Sequence, residues 1–383
     1  MGSLLKNCNH IMLRVGITGQ KGFIGKHLYN TLGLYPEEFT RVAFKKEYFE
    51  DDRQLDDFVA SCDVIVHLAA KNRHADPGVL YETNIGLVKQ LTGSLERTGS
   101  TPHILFSSSI QEDRDNPYGQ SKKEGRTLLK DWAARTGGAF TGMIIPNVFG
   151  PFGHPRYNSV VATFCHQLAH GETPVIDVDS EVRLIYVAEL AAAIIEKIRG
   201  QKGDPDYTIP HTATIKISAL LELLSRYKAE YQEKGIIPAL QNDFELNLFN
   251  TYRCYIPLST HFPVKFTQHK DPRGAFVEVI RLNEGGQVSF STTVPGITRG
   301  NHFHTRKIER FAVIKGKALI QLRRIDEDEV LDFTVSGDEP GYVDMPIWYT
   351  HNIKNIGDEE LYTIFWINEF FNPSDPDTYF LNV

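Results

Sequence analysis

Tyr118-Gly-Gln-Ser-Lys122 sets a phenol and an ammonium four residues apart, on one face if the segment is helical. A nearby cation favours the phenolate, so such a pair makes a tyrosine that exchanges a proton near neutral pH. Just upstream, Phe106-Ser107-Ser108-Ser109 supplies hydroxyls able to hold a substrate oxygen beside that phenol. A second chemistry lies far along the chain, where Gly296 is followed by His302, His304, Glu309 and Gly316. On a strand, residues i and i+2 share a face, so His302 and His304 aim at one point and a neighbouring strand can deliver Glu309. Downstream, Pro346-Ile-Trp-Tyr-Thr-His351, with Asn355 beyond it, brings a third imidazole. Such a set suits a divalent transition metal such as Zn, Fe, Ni or Mn, either polarising a ketone or pinning a barrel mouth. Four protein ligands with no open position favour the structural role.

Near the amino terminus the apolar run Arg14–Thr18 leads into Gly19-Gln20-Lys21-Gly22-Phe23-Ile24-Gly25 and then a helical pattern. Glycines at a strand-to-helix turn let a dinucleotide pyrophosphate approach the backbone, and the free helix N–H groups attract it. The spacing Gly-x-x-Gly-x-x-Gly differs from the commoner Gly-x-Gly-x-x-Gly. After the second apolar run, Arg41–Phe44, come Lys45 and Lys46, with no carboxylate before Glu47. Cations there accommodate a 2′-phosphate, which favours NADP over NAD.

These groups need elements to hold them. From Leu13 to about Ala239, short apolar runs alternate with helical patterns, the signature of a doubly wound α/β domain with a parallel sheet. From Tyr252 onward the helical patterns give way to short strand-like pieces, among them Phe276–Leu282, Arg310–Ile314, Lys317–Arg324 and Leu361–Ile367. Punctuation by Gly285-Gly286, Pro295-Gly296 and Pro340-Gly341 makes this half an antiparallel barrel or sandwich. The expected organisation is a nucleotide-binding domain over 12–240, a linker over 241–251 and a barrel over 252–383. The 383 residues agree with two such units at about 150 residues per domain.

Composition narrows the partners. Lys and Arg total 41 against 48 Asp and Glu, a net charge of −7 without a long run of either sign, so nucleic acid is not an expected partner. No apolar run approaches the roughly 18 residues of a membrane span. Cys8, Cys62, Cys165 and Cys254 lack paired spacing, which points to a reducing cytoplasm rather than a disulfide framework. Met1–Ile11 reads as a short extension whose Lys6, Asn7, Asn9 and His10 interrupt any signal-peptide core.

Thr18–Gly25, His67-Leu-Ala-Ala70, Ser107–Ser109, Tyr118–Lys122 and Pro146-Asn-Val-Phe-Gly150, in that order, resemble the extended short-chain dehydrogenase/reductases acting on nucleotide sugars. The resemblance implies a Rossmann domain that binds NADPH through Gly19, Gly22, Phe23, Ile24, Gly25, Lys45, Leu68, Ala69, Ala70, Tyr118 and Lys122. It makes Tyr118 the acid that protonates a carbonyl oxygen as hydride arrives. Lys122 lowers the phenol pKa and holds the ribose, and Ser109 orients the carbonyl, with Ser108 as the competing assignment. Asn147 and Arg183 fall at positions expected to meet the substrate, and 151–171 would supply a substrate lobe. Only residues 110–117 separate Ser109 from Tyr118, where most extended members insert a longer loop, so the pocket roof must be built differently.

The two histidine stretches resemble paired cupin motifs, with Trp348 in place of the usual glycine of the second. Asp271-Pro-Arg273-Gly-Ala-Phe276-Val-Glu278 together with Arg299-Gly-Asn-His302 is similar to the nucleotide-sugar 3,5-epimerases, which implies substrate contacts from Arg273, Phe276 and Glu278. In that family a histidine after the Arg-Gly pair removes a proton beside a ketone. One imidazole cannot be both a metal ligand and a free base, so Lys307, Tyr349 or another mouth group becomes the candidate base.

A reductase joined to a cupin resembles the bifunctional bacterial enzymes of capsule and O-antigen synthesis. The resemblance implies C3 epimerisation of UDP-2-acetamido-2,6-dideoxy-β-L-arabino-4-hexulose, then reduction at C4 to UDP-2-acetamido-2,6-dideoxy-L-talose on the route to UDP-N-acetyl-L-fucosamine. A ketone links the steps, since it acidifies C3–H and is itself what hydride attacks. A UDP-4-keto-6-deoxy-N-acetylhexosamine substrate, zinc in the barrel and a cytoplasmic homodimer follow from the same resemblance. The alternatives are a reductase whose cupin is regulatory or dimerising, and a non-catalytic sugar-nucleotide sensor.

Overall fold

The computed structural model describes residues 12–383 except Arg273 and Glu284, and the side chains at 270, 271 and 274–277 are also outside the described set. The chain forms two compact units, one of residues 12–149, 156–159 and 181–215, the other of 150–155, 160–180 and 216–383.

In the first unit, β1 (Leu13–Thr18), β2 (Phe39–Val42), β3 (Val64–His67), β4 (His103–Ser109) and β5 (Phe140–Ile145) alternate with α1 (Phe23–Leu32), α2 (Asp52–Ala60), α3 (Pro77–Thr98) and α4 (Pro117–Thr136). After β6 (Asn147–Phe149) and α5 (Val160–Ala169), which lies in the second unit, come β7 (Glu181–Tyr186), α6 (Val187–Gly200), β8 (Asp204–Thr208) and β9 (Ala213–Lys216). The parallel sheet runs β2-β1-β3-β4-β5-β8, and β6, β7 and β9 form a smaller sheet. Every residue of β3 and β4 is buried, as expected for strands covered on both faces. Alternate residues serve opposite faces: Val64, Val66 and Leu105 pack with Leu28 and Ile194, whereas Ile65, Ile104 and Phe106 pack with Leu91 and Trp132. Strand order reverses between β1 and β3, the switch point where α/β sheets bind ligands.

Helix α4 begins where its sequence dictates. Asn116 is the N-cap and accepts the Gly119 N–H at 2.8 Å, and Pro117 occupies the first turn, where its missing N–H costs nothing. This cap fixes Tyr118 at the start of the helix and Lys122 one turn later.

The second unit contains α5, α7 (Ile217–Tyr227) and α8 (Asp243–Arg253), followed by an antiparallel hairpin of β11 and β12 and two five-stranded sheets. Its strands are β10 (Val264–Lys265), β11 (Gln268–Asp271), β12 (Gly274–Val277), β13 (Gln287–Thr293), β14 (Thr298–Phe303), β15 (Glu309–Lys315), β16 (Lys317–Arg324), β17 (Val330–Ser336), β18 (Gly341–Met345), β19 (Tyr349–Asn355), β20 (Leu361–Ile367) and β21 (Tyr379–Phe380). One sheet is ordered β10-β18-β15-β20-β13 and the other β17-β16-β19-β14-β21. Phe311 and Val343 from the first meet Ile320, Leu322 and Ile353 from the second in one core, the all-β barrel that the cupin resemblance predicts.

Two boundaries differ from expectation. The stretch 241–251 is no linker: Asn242 caps α8 by accepting the Glu245 N–H at 3.0 Å, and Leu248, Phe249 and Tyr252 are buried at helical spacing. Residues 150–155, 160–180 and 216–240, expected with the nucleotide-binding domain, belong to the barrel's unit. Buried polar contacts explain why, since α8 donates from Arg253 to the Met345 carbonyl at 2.9 Å. Tyr231 donates to Asp344 at 2.5 Å, and Asp344 also pairs with Arg310 at 2.7 Å. The strand expected over Phe276–Leu282 stops at Val277. Among the described residues no helix is long and apolar enough to cross a membrane.

Candidate active site and metal centre

The glycine turn has the geometry a pyrophosphate cradle needs. Gly19 has φ +75°, and a Cβ there would sit 2.8 Å from the Ala69 nitrogen, so the turn and the Leu68-Ala69-Ala70 segment press together at the switch point. A Cβ on Gly25 would lie 2.3 Å from the Gly19 carbonyl oxygen, which makes the third glycine a close-packing requirement. Gly22 is the N-cap of α1 and donates to the Gly19 carbonyl at 2.9 Å, Phe23 opens the helix, and Ile24 packs into the apolar core. Lys45 and Lys46 are exposed just beyond β2. Arg41 is committed elsewhere, stacked 4.3 Å over the Tyr29 ring.

The structure brings Ser109, Tyr118 and Lys122 together. Lys122 is buried and donates to the Ser107 carbonyl at 2.8 Å and its hydroxyl at 3.3 Å, while the Ser107 hydroxyl donates to the His67 carbonyl at 3.1 Å. Its ammonium lies 5.8 Å from the Tyr118 ring centroid, and burial lowers its pKa to about 8. Burial pushes the Tyr118 phenol up to about 12, Tyr157 adds to the rise, and the Ser109 hydroxyl works against it. The expected lowering by Lys122 is absent, because the ammonium is turned to Ser107. The phenol is therefore held protonated, as a proton donor requires.

Other groups were not evident from the sequence. Asn84 on α3 accepts from the Lys71 N–H at 2.7 Å and donates to the Lys71 carbonyl at 3.0 Å and the Ser121 hydroxyl at 3.1 Å, tying the segment after Ala70 to α4. Thr18 and His67 bond through Oγ1 and Nδ1 at 2.8 Å beneath the glycine turn. Ser108 donates to the buried carboxylate of Glu112, which is itself paired with Arg126 at 2.5 Å. Asn147 and Arg183 lie side by side, the Asn147 amide donating to the Arg183 carbonyl at 3.2 Å, and both are exposed.

In the barrel, His302, His304, Glu309 and His351 come together, with one donor atom from each lying within 4.8 Å of all the others. Glu309 Oε2 faces the Nε2 atoms of His304 at 3.1 Å, His351 at 3.2 Å and His302 at 4.0 Å. Ligands about 2.0–2.2 Å from a four-coordinate divalent ion would stand roughly 3.3 Å apart, which the Glu309 separations from His304 and His351 match and the 4.0 Å to His302 exceeds, so the donor set suits a metal ion with a small inward shift of His302. The imidazoles are turned for it. Nδ1 of His304 meets the Asp377 carbonyl at 2.5 Å, Nδ1 of His351 meets the Tyr349 carbonyl at 3.1 Å, and His302 bonds the Gly300 backbone. Carbonyls only accept, so the Nδ1 atoms of His304 and His351 carry the protons and their Nε2 lone pairs converge with a carboxylate oxygen. Burial, with the neighbouring imidazoles, lowers His302 to about 4.

The two imidazoles converge, though not as i and i+2 of one strand: His302 follows an irregularity in the β14 register after Gly300, where Asn301 has φ +62°, and His304 lies past the end of β14 at Phe303. Trp348 has φ +63°, the left-handed conformation that explains a glycine at this motif position, and it is stacked on Phe303 at 5.7 Å. Lys307, a candidate base, is buried and donates to the Pro376 carbonyl at 2.7 Å, so it is a strut and not a free base. Burial raises the Tyr349 phenol, which opposes a phenolate there. Of the epimerase-like residues, Glu278 is exposed and paired with Arg281 at 2.9 Å, while Arg273 and the Phe276 side chain lie outside the described residues.

Residues 15–209 match the model of the NAD dependent epimerase/dehydratase family, and residues 269–379 match the polysaccharide biosynthesis C-terminal domain. The chain is 31% identical to a UDP-2-acetamido-2,6-beta-L-arabino-hexul-4-ose reductase of Pseudomonas aeruginosa strain PA103, covering 97% of this chain and 99% of the relative. A GDP-6-deoxy-D-mannose reductase of Pseudomonas aeruginosa PAO1 is 24% identical, covering 55% of this chain and 79% of the relative. Among solved structures, the capsular polysaccharide assembling protein CapF of Staphylococcus aureus is 38% identical with a TM-score of 0.61, covering 96% of this chain and all of that one.

Proposed function

The chain belongs to the NAD dependent epimerase/dehydratase family, and we propose that it performs two successive steps on one nucleotide sugar. The barrel inverts C3 of UDP-2-acetamido-2,6-dideoxy-β-L-arabino-4-hexulose, and the first unit reduces the C4 ketone to give UDP-2-acetamido-2,6-dideoxy-L-talose, for capsule or O-antigen N-acetyl-L-fucosamine. The observation that carries this reading is one chain that holds a Ser-Tyr-Lys site and a metal-ligating barrel and matches a UDP-hexulose reductase over 97% of its length.

In the reductase step, the glycine turn and the Leu68–Ala70 segment would hold NADPH, which would supply the hydride. Tyr118, kept protonated by burial, gives its proton to the C4 oxygen, so that ketone, hydride and proton make the alcohol. Ser109 holds that oxygen beside the phenol, and Lys122, anchored on Ser107, keeps its charge near the Tyr118 ring. Lys45 and Lys46 beyond β2 support a 2′-phosphate and hence NADPH over NADH.

In the epimerase step, a base at the barrel mouth other than Lys307 or Tyr349 takes the C3 proton, the electron pair passes to the C4 oxygen as an enolate, and a proton is delivered to the opposite face of C3 as the ketone re-forms. His302, His304, Glu309 and His351 would hold zinc, which supplies positive charge at the barrel mouth. Asn147, Arg183, Arg273, Phe276 and Glu278 are the proposed contacts to the UDP-sugar, and the working form is proposed to be a cytoplasmic homodimer. Identification of the product by mass and NMR from a panel of UDP-4-keto sugars tests the assignment. L-talo product from the arabino-hexulose supports it, and turnover of other 4-keto sugars alone refutes it.

A further inference from the structure

We propose that Asp377 is a positioning residue for the metal centre, fixing through one buried contact set both the His304 ring and the turn that follows it; this rests on the reading of the four-residue cluster as a metal site. Asp377 is 2% exposed and has φ +40°, a conformation that favours Gly, Asn and Asp. Its Oδ1 accepts from the Thr305 N–H at 3.0 Å and the Thr305 hydroxyl at 2.6 Å, and its Oδ2 accepts from the N–H groups of Arg306 at 3.0 Å and Lys307 at 3.1 Å. Its carbonyl accepts from His304 Nδ1 at 2.5 Å. Lys307 and Arg306 then bind back to the same tail, through the Pro376 carbonyl at 2.7 Å and Asp375 at 2.8 Å.

The reason His304 needs such a partner is local. His302 and His351 each take their carbonyl from the residue two places earlier, Gly300 and Tyr349, on their own strands. His304 lies past the end of β14 at Phe303, so no strand partner orients its ring, and a residue far along the sequence supplies the acceptor. With Nδ1–H committed to Asp377, only the Nε2 lone pair faces Glu309. Groups that orient a metal-binding imidazole in this way typically change metal affinity about 10–100-fold when lost.

The test uses the full-length chain, stripped of metal and checked for folding by circular dichroism, with Co(II) and Zn(II) as probes. Asp377→Ala and Asp377→Gly remove the carboxylate, and glycine also relieves the left-handed backbone, so strain and clamp are separated. Both are expected to weaken metal binding about 10–100-fold and to shift the Co(II) ligand-field bands, with a smaller loss for Asp377→Asn. Wild-type affinity in the folded glycine variant would overturn the proposal, even if that variant melts lower. Independently of any variant, nitrogen NMR of the zinc-loaded wild type should find His304 as the Nδ1–H tautomer, and the Nε2–H tautomer contradicts the proposal. A wild-type chain that binds neither ion refutes the metal reading itself, a different result from wild-type affinity in the variants.

Discussion

Ser108 gives its hydroxyl to Glu112, and the adjacent Ser109 keeps its own beside Tyr118. Glu112 is buried and bound to Arg126, and its N–H donates to the Ser109 carbonyl at 3.0 Å, so the short turn before α4 is braced from within. This bracing stands where the resemblance leads one to expect a longer loop, and it supports the proposal that Ser109 rather than Ser108 meets substrate. Ser109→Ala is therefore expected to lower kcat for NADPH oxidation about 10²-fold, as loss of a single oxyanion donor does. Ser108→Ala is expected to stay within about 10-fold. Steady-state rates with the keto sugar check both.

Tyr118→Phe removes the proton donor and leaves the ring in place. Reduction should fall about 10²–10⁴-fold, the range for losing a general acid, with NADPH binding retained by fluorescence titration.

Lys122 gives the reductase its pH limit. Burial lowers its pKa to about 8, so its charge is present below that value and is lost as pH rises through it, whereas Tyr118 stays protonated to about 12. kcat/KM for reduction should be level below about pH 8 and decline above it. The same decline in NADPH affinity is expected in Tyr118→Phe, which assigns the break to Lys122.

Removal of metal acts on the barrel. Chelation is expected to lower the melting temperature of the second unit and abolish C3 exchange, because the imidazole lone pairs and the Glu309 carboxylate would then face one another without a cation, and Glu309→Gln is expected to act in the same direction by removing the anionic ligand. Calorimetry with and without added zinc checks this.

Much of both sites was legible in the sequence because their signals are local. The glycine turn, the Tyr118–Lys122 helical spacing and the close sequence spacing of His302 and His304 each depend on residues a few places apart. Asp377, Glu112 and Asn84 carried no such signal, since their partners are fixed by tertiary packing or by hydrogen bonds across the chain. Helix α8 reads as a linker in the sequence because its first turn is polar, and the buried Leu248, Phe249 and Tyr252 find their partners only in the folded second unit. Trp348 showed the reverse, as a departure from a motif glycine that its left-handed backbone makes intelligible.

The most direct test of two chemistries on one chain is solvent deuterium exchange at C3 of UDP-2-acetamido-2,6-dideoxy-β-L-arabino-4-hexulose, followed by NMR with Tyr118→Phe and without NADPH. Exchange at the wild-type rate, with no reduced product, is expected. Absence of exchange in a metal-loaded, folded preparation would contradict the assignment of epimerisation to the barrel.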